Sequence, residues 1–214
     1  MVSFKTYITE MSLPREQDIV KEYYHGTYNE KAIQSIIKNG IQPPALCTVK
    51  RNLTPREGKV YITPTLKYAV IYCIGGDMIG NIIDDYQLET WGRYGYLCVI
   101  DGKDLHDIQP DEDSIGEMIY KKSPNWIYEK AKHWLAPSTM KKVMEGEYSY
   151  WAKAGKVLVT KLSDYEILQL IDAGAHIAHH GAIRPSQIWK FDKSLSKDLT
   201  PLCTNFWQLA ERIK

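Results

Sequence analysis

A mixed α/β domain, α+β in its finer order, is what this chain predicts, and three observations predict it. Short β-rich runs alternate with helically spaced apolar residues over the first hundred positions. A block of helical patterns follows from about residue 111, and strand-like runs return after residue 175. The chain has 214 residues, 44% of them hydrophobic and 25% charged, and no Pro/Gly/Ser linker or repeat divides it. That composition suits one folded domain over residues 1–214, with 119–162 as a helical insert.

Taken in order, "EYYHGT" at 22–27 reads as a short strand ending in a turn. "NEKAIQSIIKNGI" then places Ala32, Ile33, Ile36 and Ile37 on one helical face, with Asn29 as N-cap and Gly40 as the stop. A polar loop, 43–58, precedes the strand "KVYIT" at 59–63. "PTLKYAVIYCI" reads as a helix with proline in its first turn and with Tyr68 and Tyr72 one turn apart. "YGYLCVID" at 94–101 is a strand running into the turn "DGKD". "PDEDSIGEMIY" is a helix with acids in its first turn. Asp111–Asp113 lacks the central glycine and later glutamate of a calcium loop, so no metal is expected there. "SDYEILQLIDAG" carries a capping box from Ser163 to Glu166 and a glycine stop. "AHIAHHGAIRPSQIWKFD" predicts two strands with a turn around Arg184-Pro185.

The formal net charge is +1, so no whole-chain field selects a partner. The insert differs. Between 119 and 162 nine lysines face only Glu129, Glu145 and Glu147, among Trp126, Tyr128, Trp134, Tyr148, Tyr150 and Trp151. Lysines for phosphates beside aromatics for bases suit single-stranded DNA or RNA. The competing reading is a solvated lysine face over a small core of tryptophans. Cys47, Cys73, Cys98 and Cys203 are too scattered for a zinc pair and read as reduced thiols of an intracellular, cytoplasmic protein. No apolar run is long enough to span a bilayer, so no membrane partner is expected.

Together "YYHGT", "SIIKNGIQPP" and "VYITPTLKYAVIY" resemble the NAD-binding half of the ADP-ribosyltransferase superfamily, in its diphtheria-toxin and poly(ADP-ribose) polymerase branch. The match covers about residues 22–74, including the eleven-residue step from Tyr61 to Tyr72. The resemblance implies a split β-sheet core, NAD as substrate, and mono-ADP-ribosyl transfer to a macromolecule; the composition of the 119–162 insert makes DNA or RNA the acceptor to test first, with protein an alternative. It implies that His25 anchors a ribose and that the Gly26 backbone meets the nicotinamide carboxamide. Tyr61 and Tyr72 would clamp the ring, with Thr27 and Thr63 beside the cofactor. In this family a glutamate on a late strand supports the cation that forms as nicotinamide leaves. Here that position carries His179 or, in a looser alignment to toxins that modify DNA bases, His176. Glu112 and Glu117 are the candidates to supply the missing carboxylate. Two alternatives stand beside this reading. One is RNA 2′-phosphate transfer to NAD, for which Arg15 is the only upstream arginine and has no histidine beside it. The other is a non-catalytic module that binds NAD or ADP-ribose.

Overall fold

The computed structural model describes residues 22–43, 58–75, 92–105, 108–195 and 205–213. Arg15, Cys47, Cys203 and the interior of the 43–58 loop lie outside them. The first strand and helix are β1 (Glu22–Thr27) and α1 (Glu30–Asn39). Next come β2 (Lys59–Ile62), α2 (Leu66–Cys73), β3 (Tyr94–Asp101) and the short β4 (Gln109–Pro110). The helical block is α3 (Glu112–Lys121), α4 (Asn125–Trp134), α5 (Pro137–Met144), α6 (Tyr148–Val159) and α7 (Asp164–Asp172). The chain closes with β5 (Ile177–His180), β6 (Gln187–Asp192) and β7 (Glu211–Ile213).

The strands form two antiparallel sheets, ordered β1-β3-β6-β7 and β2-β5-β4. Among the described residues a bridge from Tyr24 to Thr63 links β1 to the end of β2, and this junction between the two sheets is the fork. The two late strands do not pair with each other as a hairpin would. β5 joins the second sheet and β6 the first, and the Ile41–Ile183 bridge lies between them.

Strand β3 runs through the middle of the first sheet, which is why its sequence is apolar without alternation. Tyr96, Cys98 and Ile100 enter one core with Tyr23, Ile33, Ile36, Val60 and Ile177. Leu97 and Val99 enter another, on the opposite face, with Ala69, Val70, Cys73 and Phe206. Helix α1 closes the first core through Ile33 and Ile36. Its Asn29 side chain accepts from the Lys31 and Ala32 amides at 2.9 and 3.2 Å, and Gly40 ends it at φ 77°. Helix α2 begins at Leu66 after Thr65, so Pro64 precedes the cap rather than occupying the first turn. The Thr63 hydroxyl accepts the Thr65 amide at 3.1 Å and starts that helix.

Helix α2 lies unusually close to the sheet because two glycines leave room for it. A Cβ on Gly26 would sit 2.0 Å from the Ala69 carbonyl oxygen, and one on Gly95 would sit 2.6 Å from that of Cys73. The helical block has a third core of its own, built on Ile115, Ile119, Ile127, Trp151 and Leu158. There too glycines set the spacing. Gly116 abuts the Trp151 backbone, and Gly155 abuts that of Glu112, so α3 and α6 cross almost backbone to backbone.

Candidate functional site

The predicted residues of β1, β2 and β5 lie around the fork but divide between the two faces of the sheets. Antiparallel partners share a face of a sheet, and alternate residues of a strand swap faces. By that register Tyr61, Thr63 and Ala178 look toward the side on which α2 lies. His179, opposite Val60, looks the other way with Ile62 and Ile177, and is 8% exposed. His25 shares the face of Tyr23 and Cys98, the same side as His179. Its Nδ1 donates to the Tyr61 carbonyl at 3.0 Å, so its imidazole spans the fork just past the bridge. Tyr61 is half-buried and Tyr72, on α2, is 40% exposed.

The electrostatics of His25 follow from that bond. A carbonyl only accepts, so the proton of the neutral ring sits on Nδ1 and the lone pair on Nε2. Burial lowers its pKa, against a smaller upward pull from the Tyr61 carbonyl. At neutral pH His25 therefore offers an acceptor at Nε2, suited to a hydroxyl donor. Gly26 faces α2, so its missing side chain is explained by packing. Thr27 and Thr63 spend their hydroxyls on the Asn29 and Thr65 amides.

A second cluster joins elements that sequence spacing cannot connect. His176, just before β5, has its amide held by Ser114 Oγ at 3.0 Å, and its carbonyl accepts the Asp111 amide at 2.7 Å. Its ring meets the edge of Tyr68 from α2, with centroids 4.9 Å apart at 72°. Glu117 and Lys121, ion-paired on consecutive turns of α3, complete the group, with Lys121 near the Tyr68 side chain. Burial lowers the His176 pKa; Glu117 raises it by a lesser amount and Lys121 lowers it. Of the two predicted acids, Glu117 thus lies beside a predicted histidine, whereas Glu112 is buried in the first turn of α3. Sequence reasoning named His176 and Glu117 but missed Tyr68 and Lys121. The signal was there: Tyr68 is one turn from Tyr72, and Lys121 is four residues from Glu117.

Other groups are accounted for by packing. Cys73 Sγ donates to the Tyr96 carbonyl at 3.0 Å, and burial raises its pKa well above the ordinary value and that of Cys98 to about 12. Neither thiol is a nucleophile in that state. Lys193 is also buried, near the Tyr28 ring, and burial brings its pKa down to about 8. A cleft of about 580 Å³ lies away from the fork, between the end of α1 and the β6–β7 edge. Ile37, Gly40, Arg184 and Arg212 line it, and none of the predicted site residues does.

The basic insert is less open than its charge suggests. Lys121, Lys130, Lys132, Lys141 and Lys142 are ion-paired with glutamates, two of which, Glu117 and Glu166, come from outside 119–162. Trp151 is core, and Trp126, Tyr128 and Tyr150 pack partly against that core. Tyr120, Trp134 and Tyr148 remain exposed, with Lys161 over the Trp134 ring and Lys153 over that of Tyr150. No described helix is long and apolar enough to cross a membrane. Compared with models of known families, with curated proteins and with solved structures, the chain matches none.

Proposed function

We propose that the chain is an NAD-dependent mono-ADP-ribosyltransferase. The observation that carries this reading is the fork. A histidine that accepts at Nε2 spans the split between two antiparallel sheets, and a helix bearing Tyr68 and Tyr72 lies against the glycine of the same strand. A ribose hydroxyl is the donor that such a histidine fits, and aromatic stacking on nicotinamide adds about 0.5–1.5 kcal/mol beyond area burial. The acceptor in this reading is a macromolecule, with single-stranded nucleic acid favoured by the exposed Tyr120, Trp134 and Tyr148 and by the lysines beside them.

A second reading, a non-catalytic NAD or ADP-ribose module, is favoured by the histidines in the late segment where the family carries glutamate. One experiment separates the two. The full chain is incubated with NAD labelled in its adenylate phosphate and with DNA, RNA and protein mixtures, and free nicotinamide is measured. The enzyme reading expects nicotinamide release and labelled acceptor, both reduced at least tenfold by His25→Ala. NAD binding without release selects the module. Neither binding nor release rejects both.

A further inference from the structure

We propose that His176 is the proton acceptor for the nucleophile that takes the ADP-ribosyl group, with Glu117, Lys121 and Tyr68 setting its position and charge. The inference rests on the transferase reading above. Three observations lead to it. The main chain of His176 is clamped at both its amide and its carbonyl by the start of α3. Its ring, by contrast, meets the edge of Tyr68 and makes no hydrogen bond among the described residues. A carboxylate and an ammonium, Glu117 and Lys121, face it from α3. A fixed backbone with an uncommitted imidazole is the arrangement that a general base needs.

The step balances without any further reactant. The bond between C1′ of the ribose and the nicotinamide nitrogen breaks, and its electron pair leaves with nicotinamide. A lone pair of the acceptor oxygen or nitrogen forms the new bond to C1′. The proton that this atom sheds goes to a ring nitrogen of His176. Water as acceptor follows the same course and gives free ADP-ribose.

The charges around the ring make the test specific. His176 works unprotonated, so turnover falls as pH drops through its titration. Glu117→Gln removes a charge that favours the imidazolium, so the acidic limb of the profile moves to lower pH. Lys121→Met removes an opposing charge and moves the limb to higher pH. Each shift is roughly half to one pH unit. The experiment measures nicotinamide release from NAD by the full chain between pH 5 and 9, with and without a mixed-sequence single-stranded DNA oligonucleotide. His176→Gln is expected to lower the rate at pH 7.5 by about 10²-fold, to abolish the acidic limb and to leave NAD binding intact. A limb that survives His176→Gln, or that moves the same way in both α3 variants, overturns the inference while leaving the transferase reading in place. A wild-type chain that binds no NAD and releases no nicotinamide overturns both. Should His176→Gln fail to fold, an NMR titration of the His176 ring in wild type, Glu117→Gln and Lys121→Met reads the same opposed shifts, and their absence is equally fatal.

Discussion

Gly26→Ala is the substitution that best tests how the fork is built. The sequence suggests that this glycine bares the backbone for a ligand, whereas the structure gives it a second task. An added Cβ would lie 2.0 Å from the Ala69 carbonyl oxygen, 2.8 Å from the Cys73 nitrogen and 3.0 Å from the Ala69 carbonyl carbon. The closest of these is about 1.4 Å short of ordinary contact, and every obstacle is backbone. No rotamer can relieve it, so α2 must retreat or β1 must buckle. Retreat loosens Ala69, Val70, Cys73 and Ile74, each at most 1% exposed. Overpacking of this kind costs about 1–3 kcal/mol, and with rigid neighbours on both sides the upper end is expected. Gly26 does not adopt a positive φ, so backbone strain adds nothing and the whole cost comes from contact. Urea denaturation of the full chain should show a midpoint lower by about 1 M, at an m-value of about 1–3 kcal/mol/M. Hydrogen exchange should accelerate first in α2. A variant whose stability is within about 0.5 kcal/mol of wild type would refute the packing argument and leave only the ligand explanation for this glycine.

Three further outcomes follow from the same kind of geometry. Gly155→Ala places a Cβ 2.1 Å from the Glu112 carbonyl oxygen and should destabilise the α3–α6 crossing by about 2–3 kcal/mol, measured by thermal unfolding. Ser163→Ala removes the hydroxyl that accepts the Glu166 amide at 3.4 Å and should cost about 1 kcal/mol, seen as faster exchange in the first turn of α7. Lys193 is ordinary when unfolded, at 10.5, and near 8 when folded, so the unfolded chain binds more protons between those values and stability rises with pH across that window. Lys193→Met should therefore stabilise the chain by about 1–3 kcal/mol at pH 7, an advantage that shrinks from pH 8 upward in denaturant titrations.

Local signals were legible in the sequence and long-range ones were not. Asn29 and Gly40 mark both ends of α1, and Ser163 with Glu166 marks the start of α7, because caps bond to amides only a few residues away. Strand β3 was legible because burial on both faces leaves an uninterrupted apolar run. The partner of a strand is another matter. "AHIAHHGAIRPSQIWKFD" reads as two strands, but nothing in a period of two says that β5 and β6 belong to different sheets. The insert shows the same limit. Its lysine excess is visible, whereas the pairing of Lys130 with the distant Glu166 of α7 is not. Trp151 and Trp134 look alike in composition, yet one is core and the other is 46% exposed. Helical phase decides between them: Trp151, Ala154, Gly155 and Leu158 share a buried face.

The candidate site divides along the same line, and His25 shows why. Its residue type and its place in "YYHGT" were legible, but the division of its two nitrogens was not, because Tyr61 is 36 residues away. The fold uses Nδ1 at the fork, and Nε2 makes no hydrogen bond among the described residues. Loss of activity on replacing His25 would therefore mix two effects, a loosened junction and a lost acceptor. Asparagine can donate from its amide toward the Tyr61 carbonyl but offers no imidazole Nε2. In the transferase reading His25→Asn should retain more stability than His25→Ala, by about 1 kcal/mol for the hydrogen bond, while NAD affinity falls comparably in both. Equal NAD affinity in wild type and His25→Asn would mean that the imidazole serves the sheets alone, and the ribose anchor would have to be sought on another strand.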